Sequence, residues 1–245
     1  MKRGYIKIKN EIDGCKKKKN FAFSLAEVLI ALVIIGVVAA ITVPVLFENY
    51  KKQETISRLK KAYSVISNGL RMSQTENGPF SSWEIGADMT DVEGYFNKYW
   101  VPYFQNITKY NYAKDLGYED NFCWTNLNGR RIGWLVESDE SRMLFTLADG
   151  TVVFYPRNTT DINGNPAYTR YFYVDINGSK KPNIIGKDVF IFNVVDYDNL
   201  KPYCHERNEA VINNNCKKSI SENNTNCCTA KIMYDGWQIK EDYPW

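Results

Sequence analysis

Residues 28–47 (VLIALVIIGVVAAITVPVLF) carry no charged side chain. About 20 apolar residues are what a helix needs to cross the hydrocarbon core of a bilayer. Four lysines at 16–19 precede the run. Basic residues stay on the cytoplasmic side, so everything after Phe47 is expected outside the cytoplasm. The same lysines explain the charge balance. Residues 1–22 hold eight of the 31 basic residues and two of the 28 acidic ones. That leaves 23 basic against 26 acidic beyond Ala22. A nucleic-acid binder needs a basic face, and the chain past the leader does not supply the charge for one.

Three kinds of export segment fit such a run. A secretory signal would be cut near Val38-Ala39-Ala40, a signal anchor would stay uncut, and a third kind is cut on the cytoplasmic side, before the apolar run. Glu27 separates them. A carboxylate at the edge of an apolar segment is costly, so a simple export signal avoids it. Intramembrane acids are functional by default. A lipoprotein signal is excluded because no apolar stretch precedes Cys15.

The stretch KKKKNFAFSLAEVLI at 16–30 resembles the cleavage and methylation motif of type IV pilins and type II secretion pseudopilins. The resemblance implies removal of leader 1–22 by a prepilin peptidase, with cleavage between Ala22 and Phe23 and N-methylation of Phe23. It makes Glu27 the acidic residue that guides assembly and Pro44 the proline that kinks the helix. Ala22 stands where glycine is usual, and the leader is long for the family. The partners implied are other pilin-like subunits, copies of the chain itself and an inner-membrane assembly platform. The implied location is a single pass of the inner membrane with a periplasmic head, then a periplasmic or surface filament.

Beyond the apolar run, Ile56, Leu59, Tyr63, Ile66 and Leu70 recur in steps of three and four, one face of an amphipathic helix. Asn77-Gly78-Pro79 is a stop signal. The expectation is one helix over 23–77, transmembrane over about 23–47 and packed on its own head over the rest. At 1.5 Å per residue it would be roughly 80 Å long.

Residues 80–245 are expected to form the head. Val92, Tyr95, Phe96, Tyr99, Trp100, Tyr103 and Phe104 sit at helical spacing and read as core. Strand-like runs follow at 131–136, 143–147, 151–155, 170–174 and 189–195, with a hairpin signal at Asp149-Gly150. Successive strands without helices between them favour an antiparallel sheet, hence an α+β fold.

Two groups in the head invite chemistry. Asp175, Asn177 and Asp188 offer oxygens to a hard cation such as calcium. The resemblance adds weight, since major pseudopilins bind calcium in a loop near the C-terminus. The same residues build tight turns unaided, which is the reading they favour. Asp161 and Asn163 repeat the pattern more weakly. Cys204, Cys216, Cys227 and Cys228 can make zinc ligands or disulfides, and an extracytoplasmic location selects disulfides. Vicinal Cys227 and Cys228 are not expected to bond each other. Crosslinks would staple an Asn-rich loop with few apolar residues.

His205 is the only histidine, and no phosphate loop, HExxH or nucleophile elbow occurs. A structural role rather than an enzymatic one is expected, with no obligatory cofactor. The leading expectation is a type II secretion pseudopilin. A surface pilin for adhesion, motility or DNA uptake is the alternative, and an anchored binding or sensor module comes third.

Overall fold

One helix, α1 (Leu25–Asn77), carries both the apolar run and the amphipathic stripe. The computed structural model describes residues 24–83, 92–119, 124–132, 142–156, 159–160, 166–167, 171–195, 199–218 and 227–245. They belong to two compact units, Met1–Phe47 and Glu48–Trp245. In the first, Ile34, Val37, Ile41 and Leu46 are each more than half exposed. No part of the most apolar window of the helix is covered by protein. A helix apolar all round belongs in lipid or among other helices. Pro44 lies within it, and the Thr42 hydroxyl donates to the Val38 carbonyl at 2.9 Å. Proline removes one N–H from the ladder here, so this turn combines a lost donor with a side-chain bond of the kind that bends helices.

In the second unit the stripe becomes a packing face. Leu59, Ile66 and Leu70 are essentially inaccessible, and Ile56 and Tyr63 lie half-buried against the same core. Small residues complete the face: Thr55, Ala62, Gly69 and Ser73 are buried too. They let the helix approach its neighbours closely. A Cβ added at Gly69 would stand 2.6 Å from the Phe104 ring. The helix stops at Asn77 because Gly78 takes a left-handed conformation (φ 78°) and Pro79 follows. That is the usual glycine solution to a helix end.

Helix α2 (Val92–Tyr99) is shorter than its aromatic pattern suggests. Pro102 restricts the residue before it, and the chain passes into a 3-10 turn over Val101–Tyr103. The aromatics nevertheless pack as core. Phe96 and Trp100 are fully buried, and Trp83 stacks on Tyr99 with centroids 4.7 Å apart.

The central sheet is wholly antiparallel. Its strands are β1 (Thr108–Tyr110), β4 (Arg142–Thr146), β5 (Val152–Pro156), β8 (Tyr171–Asp175), β9 (Val189–Val195) and β10 (Asn199–Pro202), in that spatial order. Strands β4 and β5 form a hairpin with Thr146 opposite Val152. In its turn Gly150 has φ 82° and the Asp149 carboxylate accepts from the Thr151 amide at 3.1 Å.

One face of the sheet (Phe145, Val153, Tyr155, Phe172, Phe190, Phe192) shares a core with α1 and α2. The other face (Leu144, Phe154, Tyr173, Ile191) is covered by Tyr118, Trp124 and Ile185. Two buried faces explain why β9 reads VFIFNVV rather than alternating with polar residues. A two-stranded ribbon joins β2 (Trp124–Thr125) to β3 (Arg131–Ile132), and β6 (Thr159–Thr160) pairs with β7 (Pro166–Ala167). The expected strand at 131–136 is present over its first two residues; 133–136 lie outside the described ones.

The Asn-rich stretch after β10 folds more than its composition suggested. It contains α3 (Glu209–Asn214), capped by the Asn208 side chain, and α4 (Cys228–Tyr234). The Thr229 hydroxyl in α4 accepts from the Ile191 amide of β9 at 2.9 Å. Lys231 is buried, with Asn213 at 2.9 Å and Asp242 at 2.6 Å. It ties α4 to α3 and to the chain end.

Candidate functional site

The N-terminal motif is described from Ser24 onward; Ala22 and Phe23 lie outside the described residues. Ser24 immediately precedes α1, and Glu27 lies in its first turn. The Ser24 amide donates to Glu27 Oε2 at 2.8 Å, and the Glu27 amide donates to Ser24 Oγ at 3.2 Å. This is a reciprocal capping box, which satisfies two amides that a helix start leaves without partners. The signature Ser-X-X-Glu just before an apolar run was legible as Ser24-Leu25-Ala26-Glu27. Both residues remain exposed at the end of the apolar span.

Asp175 ends β8, and Asp188 sits in the turn before β9. Both are buried in the head. The Tyr118 hydroxyl donates to Asp175 Oδ2 at 2.8 Å, and the Asn177 amide donates to Oδ1 at 3.3 Å. Asp188 Oδ2 accepts from the Asn183 amide at 2.7 Å and from Asn177 Nδ2 at 3.2 Å, while Oδ1 accepts from the Ile184 amide at 2.5 Å. Burial, reinforced by the neighbouring Asp188 charge, pushes the Asp175 carboxyl well above the usual carboxylate range. Burial raises Asp188 as well, against several hydrogen bonds that pull the other way. The three expected oxygen ligands are therefore neighbours, and each carboxylate oxygen already accepts a donor. Asn177 turns its amide nitrogen, not its oxygen, toward Asp188. Asp161 and Asn163 lie outside the described residues.

Cys204 bonds Cys227, and Cys216 bonds Cys228. The vicinal pair thus reaches two different partners, one before α3 and one after it. Cys216, Cys227 and Cys228 are buried. His205 follows the first bridge in a turn, where its carbonyl accepts from the Tyr234 hydroxyl.

A capped helix start, an exposed apolar helix and a disulfide-stapled α+β head define a membrane-anchored, pilin-like subunit. Residues 17–43 match the prokaryotic N-terminal methylation motif, which marks a type IV pilin-like precursor for prepilin peptidase and for assembly with other pilin subunits. The chain belongs to a family of unknown function (DUF6613), whose model matches residues 45–245. No curated protein and no solved structure matches the chain.

Proposed function

We propose that the mature protein is a structural subunit of a pilus-like filament, in its finer form a type II secretion pseudopilin, with no catalytic activity. The observation that carries this reading is the methylation motif at 17–43 running straight into an uncovered apolar helix. Such a helix packs equally well in a bilayer or among copies of itself. The two disulfides support a head outside the cytoplasm, because such bridges persist in oxidising compartments. The hydrogen bonding of Asp175 and Asp188 supports the turn-forming reading of that loop over a calcium site.

N-terminal sequencing of the mature protein is expected to begin at methylated Phe23. A start after Ala40 would identify an ordinary secretory signal and end the pilin reading. The finer assignment is tested by fractionation. Filaments confined to the periplasm, with loss of secreted proteins when the gene is deleted, are expected for a pseudopilin. Filaments sheared from the cell surface would replace that assignment with a surface pilin.

A further inference from the structure

A cleft of about 440 Å³ lies between the first turns of α1 in the head and the loop over 176–188. Cations crowd it: Lys51, Arg58, Lys180, Lys181 and Lys187 line it, against the carboxylates of Glu54 and Asp188. The two acids offset this surplus only in part. Glu54 is committed to Arg58 at 3.0 Å, and both Asp188 oxygens accept backbone amides. Arg58 also donates to the Ile176 carbonyl at 3.1 Å, which fixes the loop against the helix. Lys181 reaches Glu119 at 3.4 Å, an exposed pair. Lys180 and Lys187 have no ion-pair partner among the described residues. Burial first, and then the nearby Lys218, hold Lys187 below the usual lysine range, against the attraction of Asp188 and Glu48.

The place of this cleft in the chain says what kind of anion it meets. Lys51 is four residues past Phe47, the last residue of the apolar run. At most about 14 Å of chain can separate them. Lys51, in the lining of the cleft, is thus tethered within reach of lipid headgroups whenever the apolar run is in a bilayer. Anionic lipids attract basic residues near their surface within a Debye length.

We infer that this cleft binds the phosphodiester of an anionic phospholipid headgroup and gives the subunit a second hold on the membrane before assembly. The inference rests on the membrane anchoring but not on the kind of filament the subunit joins. Lys180 and Lys187, without ion-pair partners among the described residues, suit a phosphodiester that carries no cation of its own. A choline headgroup brings a cation, and the same lysines repel it.

The test uses the full chain in a neutral maltoside detergent, titrated with short-chain phosphatidylglycerol or phosphatidylcholine and read by native mass spectrometry. Phosphatidylglycerol is expected to bind on the order of tenfold more tightly, a preference that weakens with salt. The double variant Lys180→Gln, Lys187→Gln should bring the two lipids within about twofold of each other, since its two charges carry most of the difference. Lys180→Arg with Lys187→Arg should keep the preference, which separates loss of charge from loss of fold. Equal binding of both lipids by the parent protein overturns the proposal, as does a preference that survives the double Gln variant. Displacement of the lipid by an equal concentration of inorganic phosphate also overturns it, identifying a site for soluble phosphate. These readings are made on purified protein, so they stand apart from any failure of filament assembly in cells.

Discussion

Ser24 and Glu27 hold each other across the first turn of α1, each accepting a hydrogen bond from the other's amide. Before the chain meets any partner, the Glu27 carboxylate already has local work at the helix start. A role in assembly must therefore be separated from capping. Glutamine serves the capping box as well as glutamate does, so Glu27→Gln keeps the cap and removes only the charge. Processed Glu27→Gln protein is expected to insert in the membrane yet stay out of filaments. Ser24→Ala, which costs about 1 kcal/mol of helix capping, is expected to assemble nearly normally. Filament yield from cells expressing each variant decides it. Normal yield from Glu27→Gln would confine the residue to the cap.

Gly69 lets α1 pack close against the Phe104 ring, which a Cβ there would meet at 2.6 Å. The Phe104 ring that faces it also stacks on Trp100 and Phe145, so it has little room to move aside. Overpacking a core of this kind costs about 1–3 kcal/mol. Gly69→Ala is expected to destabilise the head by that amount, although alanine is the better helix former. Urea unfolding of the full chain in detergent measures it. An unchanged or raised midpoint would mean that the ring yields freely.

The two disulfides close segments of 23 and 12 residues. Loops of that size are each worth about 3 kcal/mol when cross-linked. Replacing Cys216 and Cys228 together with serine should lower the urea midpoint and loosen α3 from α4. Peptide mapping without reduction should recover Cys204 with Cys227 and Cys216 with Cys228. Peptides joining Cys204 to Cys216 would contradict the arrangement.

Some of this architecture could be read in advance and some could not, for physical reasons. The α1 stripe and the aromatic turn around Phe96 and Trp100 bury residues at the helical period, and the strands at 143–147, 151–155 and 189–195 are short apolar runs buried on both faces. Local pattern therefore reported tertiary fate. Edge strands β1 and β10 are four residues or fewer and mostly polar on one side, too short for periodicity to register. Helix α4 was obscured because, beside Ile232, much of its burial comes from Cys228, Thr229, Ala230 and a satisfied Lys231, which form no apolar stripe. Disulfide pairing depends on how α3 and α4 meet, which spacing alone does not determine. Lys180 and Lys187 belong to no sequence motif, and they come together with Lys51 and Arg58 because the loop is held against α1 by the Arg58 bond to the Ile176 carbonyl.

Asp175 and Asp188 allow a test by acid and by calcium together. Their pKa values in the folded head are raised by burial, so the native state holds protons that the unfolded chain has released. The stability they contribute is fully present below the ordinary carboxylate pKa and is lost as pH rises through the raised folded values. The melting temperature of the parent protein should therefore fall across that window by more than that of Asp175→Asn. The variant remains foldable because the Tyr118 hydroxyl can turn from donor to acceptor. Calcium would act with the opposite sign, since it binds ionised carboxylates and stabilises only the native state. On the turn-forming reading, millimolar calcium leaves the melting temperature unchanged at every pH. A rise that is larger in mildly alkaline buffer than in acid, and absent from Asp175→Asn, would instead make this loop a cation site.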